Sequence, residues 1–408
     1  MRIGISHKII VLVFLLLLTL LSSHAYVYSL YDMDMMGYIG NAIAMSGATV
    51  RQIHDVAYRA VADEVPSGIK EHLLGTDVSG PPTQWQSRQD RAANADHFAE
   101  YLPCFAVRPI FNELVYLLHF KLGVGLVRAT IVISVVSYWL TGVLVLAWLT
   151  RYVGVSRAAI CSLFLMLAPP IINLARFNTP DALSCLVSLA ALYLIFERKA
   201  LFLGLTLLLL SVYVRTDNIL LVIAVLGYSS FVTGQLEKTK AAVLAAVAVA
   251  SVILINHYAG DYGLRMLYYR SFVAIPLAPG EFVAPFGRGD YLRALRTAIS
   301  QTLNGFFPLF VLMGLVGYLA RRTQVSQAIA AVTTFYVAGH FVLFPSGQER
   351  FWGPFYIVTA MIMTIAAWRQ QTPQVDGGPT SIHAGSAGPT QVVVRAEHTQ
   401  EAIPSRTA

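Results

Sequence analysis

The chain predicts an all-α polytopic membrane protein, and three observations carry that fold class. Hydrophobic residues fill 56% of the 408 positions and charged residues only 12%, outside the range of an ordinary water-soluble domain. Apolar windows of roughly 18 or more residues recur, each long enough to cross about 30 Å of hydrocarbon. The remaining Lys and Arg residues are scattered in short clusters between those windows, as in loops that orient helices by the positive-inside rule. The formal net charge of +7 therefore points to no nucleic-acid partner.

The elements follow in order. Arg2 and Lys8 precede an apolar run ending Ser22-Ser23-His24-Ala25, which has the outline of a signal peptide. Apolar character continues through Tyr26-Val27-Tyr28, so the segment reads as an uncleaved first helix. Crossings are expected near 9–30, 126–150, 158–174, 181–196, 200–214, 217–234, 241–257, 303–320, 325–344 and 351–368, about ten in all. With both ends in the cytoplasm, Arg2/Lys8, Arg151/Arg157, Arg198/Lys199, Lys238/Lys240, Arg321/Arg322 and Arg369 all fall inside. That count requires 105–122, with Arg108, Glu113, His119 and Lys121 among its apolar residues, to lie on the outer surface as an interfacial helix begun by Pro109.

Two large segments, 31–125 and 258–302, then face outward. The first is expected to hold a short helix ending near Gly47, followed by a polar lid or mobile loop through Gln89. The second mixes aromatic, basic and turn residues around Tyr268-Tyr269-Arg270-Ser271-Phe272. Residues 1–368 read as one transmembrane domain, and 369–408, rich in Gly, Pro, Ser, Thr and Gln, as a disordered cytoplasmic tail. No internal repeat is visible, which argues against a transporter built from inverted halves. Cys104, Cys161 and Cys185 have no metal-ligand spacing and read as packing residues.

Polar residues at the outer ends of these helices form a set. Asp32 and Asp34 end the first apolar run in Tyr31-Asp32-Met33-Asp34-Met35-Met36-Gly37-Tyr38; in an extended stretch, residues two apart would face one pocket. Arg108 opens the interfacial helix. Arg176, Asn178 and Asp181 occupy one outer turn, Arg215 and Asp217 another, and Glu349 with Arg350 precedes the last helix. Each has a plainer reading: Asp181 as a helix N-terminal charge, Arg215 and Asp217 as a structural ion pair, Arg350 as a headgroup anchor. Together they describe a polar cavity opening outward.

The order of these motifs, an acidic pair, an Arg-Pro helix, Arg-Phe-Asn-Thr-Pro-Asp, Arg-Thr-Asp and Glu-Arg-Phe-Trp-Gly-Pro, resembles that of the GT-C glycosyltransferases, such as protein mannosyltransferases and the aminoarabinose transferase of lipid A. The resemblance spans about 9–368 and rests on placement, since each motif is short. It implies a polyprenyl-phosphate-linked sugar donor and a glycan, lipid or protein acceptor. It further implies a site facing the periplasm of a bacterial inner membrane, and it leaves room for a divalent cation, magnesium or manganese, at Asp32 and Asp34. The Asp-Met-Asp spacing departs from the adjacent acids of many members; Asp34, with Gly37 and Tyr38 after it, is the favoured base. Arg residues suit a phosphate leaving group, and one base without a covalent intermediate implies inversion. The competing classes are a transporter or flippase of an anionic lipid or solute, and an O-antigen ligase or polymerase.

Overall fold

The computed structural model describes residues 5–78, 82–277, 279–280, 282, 285–320 and 323–368. The expectations for the tail at 369–408 and for Arg2, Arg321, Arg322 and Arg369 lie outside the described residues. Regular structure among the described residues is helical, with one isolated parallel bridge joining Leu30 to Phe177.

The first apolar run is α1 (Ile5–Val27). A group of short helices follows: α2 (Asp34–Ala44), α3 (Val50–Glu64), α4 (Ser67–Leu74), α5 (Pro82–Ala93), α6 (Ala95–Tyr101), α7 (Pro103–Ala106) and α8 (Pro109–Tyr116). A π-turn at Leu117–Lys121 extends α8. Local chemistry sets their ends. Thr49 and Gln52 form a capping box at α3, and Asn94 accepts from the amides of Asp96 and His97 at α6. Pro103 and Pro109 occupy first turns, where a missing N–H leaves no bond unmade. Gly75 ends α4 at φ 76°, a left-handed conformation that favours glycine.

The polar stretch through Gln89, expected as a lid or mobile loop, is therefore largely helical. Ile53, Ala57, Ala60 and Val61 are buried at spacings of four, three and one, an apolar stripe that holds α3 down. The helix expected at 105–122 is present in pieces, α7 and α8.

The long elements come next: α9 (Leu126–Leu149), α10 (Val155–Leu167), α11 (Pro169–Arg176), α12 (Asp181–Leu192), α13 (Leu201–Val214), α14 (Ile219–Gly227) and α15 (Lys238–Tyr258). The chain then forms α16 (Gly263–Phe272), α17 (Arg288–Asn304), α18 (Phe307–Ala320), α19 (Gln324–Leu343) and α20 (Gly353–Trp368). Each stretch read as a crossing is helical. Among the described residues, five helices are long and apolar enough to cross a membrane, or seven if each of two bent pairs counts as one span. The stretch at 158–174 breaks because Pro169 forces Ala168 out of the α region, and α10 meets α11 at 67°. An extended Gly305 separates α17 from α18, also at 67°. Leu201–Val214 and Thr216–Val232 are apolar but shorter than a full span.

Buried apolar side chains form two clusters that share α9. Its first half, including Leu126, Val127 and Ile131, packs with Met35, Tyr38, Phe98, Phe105 and Phe111 of the short helices. Its second half, including Tyr138, Val145 and Leu149, packs into the bundle with Phe14 and Leu18 of α1. Leu12, Phe164 and Phe202 remain exposed, as side chains facing lipid are. Beyond the end of α9, Arg151 and Tyr152 both donate to the Glu197 carboxylate, fixing that end of α12 and its π-turn beside it. Asp181 begins α12 at the other end, where the site lies.

Candidate functional site

The acidic pair sits on a turn and a helix start. Asp34 is the first residue of α2, and its N–H donates to Asp32 Oδ1 at 3.2 Å. The expected extended stretch is absent, because an opening helix turn has amides that need acceptors and Asp32 supplies one. The two carboxylates still converge. Asp32 is held from behind, its N–H donating to Asn178 Oδ1 at 3.1 Å.

Both carboxylates meet one guanidinium. Arg350, in the 3-10 turn Glu349–Trp352 that leads into α20, donates from Nη1 to Asp32 Oδ2 at 2.9 Å and from Nη2 to Asp34 Oδ2 at 3.2 Å. Its Nε donates to Gln348 Oε1 at 2.8 Å and lies 3.7 Å from Asp181 Oδ2. Arg270 of α16 approaches Asp34 Oδ1 at 3.6 Å and donates to the Tyr101 hydroxyl at 2.7 Å.

A second layer supports the first. Arg215 donates to Asp181 through Nη1, and grips Asp217 with Nε at 3.0 Å and Nη2 at 2.7 Å. Asp217 Oδ2 lies 3.1 Å from Nε2 of His340, which is only 1% exposed. A run of alternating charge thus extends from Asp32 and Asp34 through Arg350, Asp181 and Arg215 to Asp217, which His340 contacts. Planar Arg–carboxylate forks fix geometry more firmly than point charges do.

Asp32, Asp34, Arg88, Arg270, Glu349 and Arg350 line a cavity of about 760 Å³. Its size suits a small organic ligand. Burial pushes the Asp32 carboxyl up, the Asp34 charge adds to this, and Arg350 opposes; the group ends above the ordinary carboxylate range. Burial pushes Asp34 up too, but Arg350, Arg270 and Arg108 outweigh it and hold that group below the range. Two neighbouring acids are thereby driven apart in basicity.

Of the residues the sequence singled out, the fold brings Asp32, Asp34, Asn178, Asp181, Arg215, Asp217, Glu349 and Arg350 into this assembly. Arg108 stands to one side, donating to the Cys104 carbonyl at 3.2 Å and facing the Tyr38 ring. Arg176 is outside the cavity: its Nε donates to the Tyr28 carbonyl at 2.8 Å and Nη1 to Asn173 Oδ1 at 3.1 Å, tying α11 to the chain after α1. Arg88, Arg270 and His340 were not singled out as site residues. Arg270 lay in the noted Tyr268–Phe272 stretch, and a lone His in an apolar helix was the available signal for His340.

The donors do not fit a divalent cation. Among the described residues no group of three or more His, Cys, Asp or Glu side chains is placed to hold one. An ion between Asp32 and Asp34 would have two protein carboxylates, both already bonded to Arg350, and would face Arg270 as well. Cys104, Cys161 and Cys185 are free thiols. No family model, curated protein or solved structure matches this chain.

Proposed function

We propose that this protein is a membrane glycosyltransferase that moves a sugar from a polyprenyl-phosphate-linked donor to an acceptor hydroxyl. In this reading the cavity opens at the outer face of a bacterial inner membrane, both chain ends are cytoplasmic and about ten segments cross, the short and bent ones included. One observation supports it above the others: two carboxylates share a single guanidinium at the edge of a cavity large enough for a sugar phosphate.

The chemistry needs a base and an electrostatic partner for an anionic leaving group. Asp34 meets two guanidiniums and Asp32 only one, so in this proposal Asp32 is the base and Asp34 the group that anchors the arginines. Asp32 takes the acceptor hydroxyl proton as that oxygen attacks the anomeric carbon. The carbon–oxygen bond to phosphate breaks, and the phosphate leaves with the bonding pair. Arg350 engages three of its five N–H donors with Asp32, Asp34 and Gln348, leaving two for phosphate oxygens. Asp34 stays ionised and holds Arg350 and Arg270 in place. A single displacement inverts the sugar carbon.

The test pairs cells with purified protein. Cells lacking the protein should accumulate a polyprenyl-phosphate sugar, and the purified chain in detergent should consume it, with an anomeric configuration in the product opposite to that of the donor. A lipid that neither accumulates nor turns over would sink the transferase reading.

A further inference from the structure

The cavity has a second basic wall that the leaving phosphate does not explain. Arg88 and Arg270 line it, and Arg91 lies behind. Arg88 is 9% exposed; its Nη1 donates to the His72 carbonyl at 3.1 Å and lies 2.8 Å from His72 Nε2. Arg91 is 2% exposed, donates to Ser87 Oγ at 2.6 Å and lies 4.1 Å from the Tyr101 ring centre. Arg270 lies 4.8 Å from the same ring centre. Its Nε is buried with no hydrogen-bond partner.

The acids nearby already have partners. Asp90 pairs with His97 at 2.6 Å, and Asp77 lies 3.5 Å from His72. Asp34 approaches Arg270 only at 3.6 Å and is already bonded to Arg350. Among the described residues, neither Arg88 nor Arg91 has a carboxylate at ion-pair distance. Arg91 and Arg270 both stack on Tyr101, and Arg88 feels the charges of Asp32 and Asp77 without pairing with either. Buried charge left uncompensated is costly, and burial holds the Arg88 guanidinium below its ordinary value, as does the nearby charge of Arg91. An oxyanion in the cavity would meet the Arg88 and Arg270 guanidiniums that line this wall. Planar forks of this kind suit phosphate.

We propose that Arg88 and Arg270 form a second oxyanion site, distinct from the Arg350 contact, that takes a phosphate group of the bound substrates. The role of that ligand rests on the transferase reading; the site itself does not. The phosphate is carried either by the acceptor or by a diphosphate donor as its second phosphate.

Equilibrium dialysis of radiolabelled inorganic phosphate against the full chain in detergent tests the site. Arg88→Gln and Arg270→Gln should each weaken binding tenfold or more, while Arg88→Lys, which keeps the charge, should lose less. Circular dichroism checks that each variant is folded. Wild-type affinity in both Gln variants, or no saturable binding by the wild type, overturns the proposal. Polyprenyl mono- and diphosphate then separate the sources. A preference for diphosphate that Arg88→Gln removes assigns the site to the donor. Phosphate binding that persists in wild type saturated with the monophosphate assigns it to the acceptor. If no lipid-linked sugar is consumed but phosphate binding still depends on Arg88, the transferase reading fails and the anion site stands.

Discussion

Arg350 binds two acids whose affinities for a proton have been driven in opposite directions, and this asymmetry divides their roles. Asp32→Asn should abolish transfer with folding intact, because the amide keeps the size of the side chain and cannot accept the proton; a product assay on the purified variant reads this. Asp34→Asn should lower turnover less, by loosening Arg350 and Arg270. Arg350→Ala should cost on the order of a hundredfold in turnover through lost charge stabilisation, and Arg350→Lys should recover only part of it. The pH profile has a definite sign. In the proposed mechanism Asp32 works as the anion, and its carboxyl is raised, so kcat/KM should fall as pH drops through a value above the ordinary Asp value of about 3.9. Arg350→Gln removes a cation that lowers it, so the acid limb should move to higher pH; a limb that stays put would separate Asp32 from the rate. Most of these residues were legible in the sequence because charged groups at the ends of apolar runs stand out. Arg88 and Arg270 were less legible, since they lie in polar segments where an arginine is ordinary and only the fold places them on the cavity wall.

At the level of elements, the site depends on how closely α2 approaches α7. A Cβ built on Gly37 would lie 2.1 Å from Phe105 Cδ2, and the Phe105 ring carries the Arg270 guanidinium at 4.7 Å. Gly37→Ala should therefore cost about 1–3 kcal/mol through overpacking, read as a lower unfolding midpoint in detergent. It should also slow transfer by shifting Arg270, whereas Gly68→Ala, with open space around it, should leave the rate unchanged. Long apolar helices and proline breaks could be read from spacing and residue type. The helices at 50–64, 67–74 and 82–93 were hidden because the apolar stripe is narrow and the caps lie among polar residues.

For the whole molecule, the basic loops set the expected orientation. Thr76 and Gln235, both exposed, suit a labelling test of it. A Cys at Thr76 should react with an impermeant reagent in cells whose outer membrane is permeabilised, and one at Gln235 should not; the reverse pattern would invert the topology. The contact between Arg350 and Asp32 spans 318 residues of chain. With synthesis at about 5–20 residues per second, the acidic pair emerges roughly 15–65 seconds before its guanidinium. During that interval the nascent chain has its first carboxylates and lacks the arginine that joins them. On the transferase reading, the site closes only once Arg350 has been made, and a chain released before that residue should be inert.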